Sequence, residues 1–240
     1  MSARPEICVR RSLSCSRWTA LLAAVSALAL TLDLSCNAAF AHDADAHAHH
    51  QHAAPETTRS VVAYTIPEVK LVRDDGATVD LRHELDDGRA VVLNFIYTTC
   101  TSVCPLTSQT FAQLQDKLGA VRDSVHLVSI SIDPEQDTPA RLRAYAQKFG
   151  AGPAWRHYTG TPAASIAAQR AFNAYRGSKM DHAPVTLVRA AGSNGWIRID
   201  GFATADQLLG ELRAVVAALQ AGNATKDGFT NRTEEKNAEH

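Results

Sequence analysis

The chain has 240 residues, with 24 Lys and Arg against 25 Asp and Glu and a formal net charge of −1 at pH 7. That balance carries no basic excess, which argues against nucleic acid as a partner. Five cysteines are present, and their positions decide how they are read.

Arg4, Arg10, Arg11 and Arg17 precede an apolar run from Trp18 to Leu32, and Ala39-Phe40-Ala41 has small residues at both ends. A basic stretch, an apolar stretch and an A-x-A end read as a secretory signal over residues 1–41. The run falls short of the ~20 apolar residues of a full membrane span. An uncleaved anchor at the periplasmic face of the inner membrane is the alternative, and only that alternative makes the membrane a partner. Cys36 has Asp33 three positions before it, where a lipoprotein needs an apolar residue; Arg10-Arg11 with Leu13 only weakly resembles a twin-arginine signal. Removing this segment takes Cys8, Cys15 and Cys36 with it. Cys100 and Cys104 remain, with 20 basic and 23 acidic residues. The expected location is exported and periplasmic, an oxidising place where a thiol pair tends to close.

Residues 42–60 read as a polar, disordered leader. His42, His47, His49, His50 and His52 lie in it. Such a tract is either an auxiliary, weak site for copper, zinc or nickel or a solvated tail that happens to be rich in histidine.

A single globular domain is expected over 61–220, followed by a polar, flexible tail at 221–240. "VKLVRDDGATVDL" reads as an N-terminal hairpin turning at Asp75-Gly76. "AVVLNFIY", Ala90 to Tyr97, is an apolar run of strand length, suited to a central strand covered on both faces. A loop to Cys104 follows, and Pro105 is expected at the first position of a helix whose inner face carries Phe111, Leu114 and Leu118. "VHLVSISI" is a second buried strand. Asp137-Thr138-Pro139 starts the next helix, with Leu142, Tyr145 and Phe149 facing inward. "WRHYTG" is a short strand and "PAASIAAQRAFNAY" a helix. A hairpin is expected to turn at Asn194-Gly195, and a last helix runs from about Ala205 to Leu219. The order predicts an α/β fold with a mixed sheet flanked by helices.

Cys100 and Cys104 are separated by three residues, past the end of one strand and at the start of a helix. Ligands bind at the carboxyl ends of strands in such sheets. A helix N-terminus favours negative charge and so lowers a thiol pKa. That is the layout of a thioredoxin-type redox pair, but with a wider loop. The pair can close as a disulfide, or its two soft thiolates can converge on Cu(I), with zinc as competitor. Asp133 reads either as a turn former before Pro134 or as a carboxylate close to the site. His126, His157, Trp155 and Trp196 are most simply packing residues.

"FIYTTCTSVCP" is similar to the cysteine segment of the Sco/SenC family. "SIDPEQDTPARLRAYAQKFG", "WRHYTG" and "MDHAPVTLV" resemble further segments of that family in the same order, across roughly residues 61–219. The resemblance implies a thioredoxin-like fold and a copper site for Cu(I) and Cu(II) made by Cys100, Cys104 and His182, with Asp181 beside the histidine. It implies a copper chaperone serving the binuclear copper centre of cytochrome c oxidase, whose copper-accepting subunit, or another copper protein, would be the partner. The alternative is a thiol-disulfide oxidoreductase, served by a thiol reductant, that cycles a Cys100–Cys104 disulfide and keeps a client's copper-site cysteines reduced. A thiol peroxidase shares the fold, but the proline after Cys104 and a histidine placed like His182 favour metal. The chain departs from the family pattern at Thr101 and Ser102, where proline and an acidic residue are common, and at Ala183, where a hydroxylic residue is common.

Overall fold

Residues Ala90–Ile96 are apolar at all but Asn94, and all seven are buried. Side chains alternate between faces along a strand, so a run of this kind needs cover on both sides. In the computed structural model, which describes residues 56–218, Val91, Leu93 and Phe95 enter one core and Ala90 and Val92 the other.

The elements in chain order are β1 (Thr58–Ala63), β2 (Lys70–Arg73), β3 (Thr78–Asp80), α1 (Leu81–Leu85), β4 (Ala90–Ile96), α2 (Val103–Lys117), β5 (Val125–Ser131), α3 (Pro139–Lys148), β6 (Trp155–Gly160), α4 (Pro162–Ala171), β7 (Val185–Arg189), β8 (Gly195–Asp200) and α5 (205–218). They form one eight-stranded sheet in the order β1-β8-β7-β4-β5-β6-β2-β3. β4, β5 and β6 are parallel neighbours. The remaining pairings are antiparallel. This is the expected helix-flanked mixed sheet of a thioredoxin-like fold.

One core gathers the inner residues of α1 and α4 with Phe172 and Trp196. The other gathers Phe111, Leu114 and Leu118 with Leu208, Leu209 and Leu212 of α5. Full burial of side chains of this size stabilises by about 2 kcal/mol each, so packing rather than helix propensity holds α2 and α5 in place. A third, smaller cluster joins Ile96, Tyr97, Cys100 and Cys104 to Leu142 and Tyr145 of α3.

Four local details differ from the sequence reading. The sheet begins at Thr58, inside the expected leader, because β1 pairs with β8 from Thr58↔Asp200 onward. Its short, half-exposed strand carries little apolar signal. The second hairpin turns at Ala191-Gly192, three positions earlier than Asn194-Gly195: Gly192 has φ +65°, Ser193 N–H donates to the Ala190 carbonyl, and Gly195 already pairs with Ala63. Pro105 is the third residue of α2, still within the turn whose N–H groups lack helical acceptors. α1 is a single capped turn too short to show periodicity. The β2–β3 pair turns through Gly76 at φ +93° and lies on the sheet edge opposite β1.

Residues 1–41, the histidines of the leader and the tail at 221–240 lie outside the described residues. Among the described residues, no helix is long and apolar enough to cross a membrane.

Candidate metal centre

The chain leaves β4 at Ile96 and reaches α2 at Val103 through a turn pinned at several points. Cys100 N–H donates to the Tyr97 carbonyl at 3.2 Å. Asp137, fully buried, accepts from Thr98 N–H at 3.1 Å, from Thr98 Oγ1 at 2.5 Å and from Ser131 Oγ at 2.6 Å. One carboxylate therefore ties the cysteine loop to the end of β5. Thr138 caps α3 by accepting Arg141 N–H, which leaves Asp137 free for this task.

Ser102 occupies the N-cap position of α2 but makes no side-chain cap. Cys100 Sγ takes that place, accepting Cys104 N–H at 3.3 Å. A sulfur in this position receives an N–H that the helix cannot satisfy, and it sits at the positive end of the helix dipole. Burial works against ionisation of Cys100, but the Cys104 N–H, the Cys104 thiol, the Ser102 N–H and the Tyr97 hydroxyl outweigh it and bring its pKa down to about 7. Burial, then the hydrogen bond to Cys100, pushes the Cys104 thiol the other way, far above its usual range. Tyr97 N–H lies 3.5 Å from Cys104 Sγ. Burial and the Cys100 sulfur raise the Tyr97 hydroxyl to about 12, so it remains a donor. Both cysteines are free thiols.

A cavity of about 200 Å³ opens at this turn. Its walls include Tyr97, Cys100, Ser102, Lys179, Met180 and His182. β7 runs antiparallel to β4, so the residues just before Val185 stand beside the residues just after Ile96. That register brings His182 to the cysteine loop across 78 positions of sequence. Its Nε2–H donates to the Phe95 carbonyl at 3.0 Å, and its ring meets Tyr97 edge-on at 6.3 Å. A carbonyl only accepts, so Nδ1 keeps the free lone pair. Burial lowers the His182 pKa, favouring the neutral, ligand-competent ring.

Asp181 is exposed, and the partner of the ring is the Phe95 carbonyl rather than this neighbouring carboxylate. Asp133 is buried and close to the site; its Oδ2 accepts from Lys179 Nζ at 2.5 Å. Among the described residues no three His, Cys, Asp or Glu side chains are gathered as a ready metal cage. The donor chemistry nevertheless fits a soft ion: two thiols meet at one helix mouth, and an imidazole lines the same cavity.

His126 and His157 pack in strands away from this cavity. His126 Nε2 meets Tyr158 Oη at 3.0 Å, and burial lowers its pKa to about 4. His157 lies against Trp155 with ring centroids 5.0 Å apart. Trp155 and Trp196 are core residues. The sequence reading missed the loop-pinning role of Asp137, treating it as part of a helix start, and missed Lys179. The visible signal was a second aspartate four residues after Asp133, more than one helix start needs.

The profile of the SCO1/SenC family matches residues 59–216. The chain belongs to the SCO1/SenC family. It is 30% identical to the protein SenC of Rhodobacter capsulatus over 71% of this chain and 74% of that protein. It is 33% identical to the SCO1 protein homolog of Bacillus subtilis over 36% of this chain, a match spanning 44% of that relative. The structure is similar to Arabidopsis thaliana ScoI with copper bound, at a TM-score of 0.51 and 26% identity, covering 63% of this chain and 96% of that one. The SCO1/SenC match encloses the cysteine pair, Asp133, Asp137 and His182 together.

Proposed function

We propose that this chain is an exported copper carrier that holds Cu(I) between the thiolates of Cys100 and Cys104, recruits His182 for Cu(II), and passes the metal to the copper-accepting subunit of cytochrome c oxidase or another copper protein. The observation that carries this reading is the pairing of Cys100 Sγ with Cys104 N–H at the mouth of α2, in a cavity also lined by His182. Thiolates select Cu(I), and imidazole adds the harder donor that Cu(II) requires. A family relative of similar structure carries copper. The leader histidines His42, His47, His49, His50 and His52 serve as an auxiliary, weaker reservoir. The protein works at the periplasmic side, after removal of residues 1–41 or held by them.

Titration of the reduced protein against a competing Cu(I) chelator tests this reading. One equivalent is expected to bind tightly, and Cys100→Ser and Cys104→Ser are each expected to lose that binding. Unchanged affinity in either variant would overturn it.

The unequal thiols favour a second reading, as a thiol-disulfide reductant. The Cys100 thiolate attacks a client disulfide and expels one client sulfur as a thiolate. The Cys104 thiol gives up its proton, attacks the Cys100 sulfur and expels the second client sulfur. The client gains two electrons and two protons, and Cys100–Cys104 closes as a disulfide, to be reopened by an external thiol reductant. Thiol counting on the chain and on a copper-site client would detect this exchange. A client disulfide left intact excludes it.

A further inference from the structure

Met180 is 77% exposed, in a turn that the fold holds firmly. Its N–H donates to Ser178 Oγ at 3.1 Å, and the preceding Lys179 is bound to Asp133 at 2.5 Å. An exposed apolar side chain alone means little, since isolated ones are common on protein surfaces. The position of this one is informative. Met180 lines the same cavity as Cys100 and His182, whereas Cys104 is fully buried behind that wall. Donors are thus graded by depth: a thioether at the open rim, the Cys100 sulfur on the wall and the Cys104 sulfur beneath. Thioether sulfur is soft, neutral at every pH, and prefers Cu(I).

We propose that Met180 is a rim ligand for Cu(I), bound to the loaded metal together with Cys100 and exchanged as copper enters or leaves the cavity. This rests on the copper-carrying reading above. The steps are ligand exchanges: on loading, a bond from Sδ of Met180 to copper forms as one from the delivering carrier breaks, and on release the Met180 bond breaks as one from the accepting protein forms, with copper as Cu(I) throughout. Among the described residues that line the cavity, no other side chain offers a thioether. His182 offers its free Nδ1, but an imidazole nitrogen is the harder donor, and Lys179 carries a positive charge that the metal does not bind.

The chain has two methionines, Met1 and Met180, so selenomethionine places selenium at one position among the described residues. The labelled full chain, reduced and loaded with one equivalent of Cu(I), would be measured by X-ray absorption at both the copper and selenium edges. A copper–selenium scattering path is expected, and Met180→Leu should abolish it while Met1 still carries selenium. Leucine keeps the apolar bulk, so a purely hydrophobic role survives the substitution and a ligand role does not. A competing chelator should also withdraw Cu(I) from Met180→Leu at a measurably different rate from the parent. Copper held by sulfur with no selenium neighbour, or a path that persists in Met180→Leu, overturns the proposal and leaves the two-cysteine site standing. A parent chain that holds no Cu(I) overturns the copper reading itself.

Discussion

The Lys179 ammonium lies 2.5 Å from Oδ2 of Asp133 and 5.8 Å from the centroid of the Tyr97 ring. This one side chain joins the turn before His182 to the ends of β4 and β5. Sequence places these three segments far apart; the sheet order makes them neighbours.

Removing the Lys179 charge leaves a buried carboxylate without its cation. Lys179 is 39% exposed and Asp133 9%, so the cost falls between that of a surface pair and a buried one. Lys179→Ala should lower stability by about 1–2 kcal/mol. Urea denaturation measures this, and amide exchange at 179–182 should quicken in parallel. Lys179→Arg should recover most of the loss. Equal stability and exchange in Lys179→Ala and the parent would show that the pair does not hold the turn.

Asp137→Asn is the more severe change. Three donors converge on the carboxylate, and an asparagine turns an NH₂ toward at least one of them. A buried donor left unmatched costs up to about 3 kcal/mol. A lower urea midpoint with an unchanged slope is expected, together with weaker Cu(I) retention, because the cysteine loop loses its anchor. A variant as stable as the parent would contradict the assigned role.

Alkylation of the reduced protein should titrate. Cys100 reacts as a thiolate, and its pKa is lowered to about 7. Its rate with iodoacetamide should be small well below pH 7, rise through pH 7 and level off above it. Cys104 should stay protonated and unreactive across that window, because burial shifts it upward. Mass spectrometry would place the adduct. A midpoint at the ordinary thiol value of about 8.5 would sink the expectation.

His182→Ala should keep most Cu(I) binding and lose the stable Cu(II) complex with its thiolate-to-copper absorption. The free lone pair at Nδ1 predicts that this nitrogen takes the metal while Nε2–H remains on the Phe95 carbonyl. Optical and electron-spin spectra decide the point. An alanine variant with the parent Cu(II) spectrum removes His182 from the ligand set.

Much of the fold was legible because local chemistry repeats along the chain. Strand-length runs rich in apolar residues at Ala90–Ile96 and Val125–Ser131 marked central strands, and Thr138-Pro139 marked a helix start that the structure also has. The cysteine spacing and the strand-to-helix context pointed to the site before any contact was known. β1 escaped, since its half-exposed residues acquire their strand state only from pairing with β8. Asp137 was read as part of a cap because its three donors lie on segments up to 39 positions away. The partner of His182 is a backbone carbonyl of β4, which no residue type encodes. The sequence by itself thus determined which groups are candidates for the chemistry, because residue type sets softness, charge and hydrogen-bonding capacity. Only the tertiary structure decided how those groups are tuned: burial raises the Cys104 thiol while hydrogen bonds from Cys104, Ser102 and Tyr97 lower the Cys100 thiol against its own burial, and the antiparallel β4–β7 register brings the histidine and the Met180 turn to them.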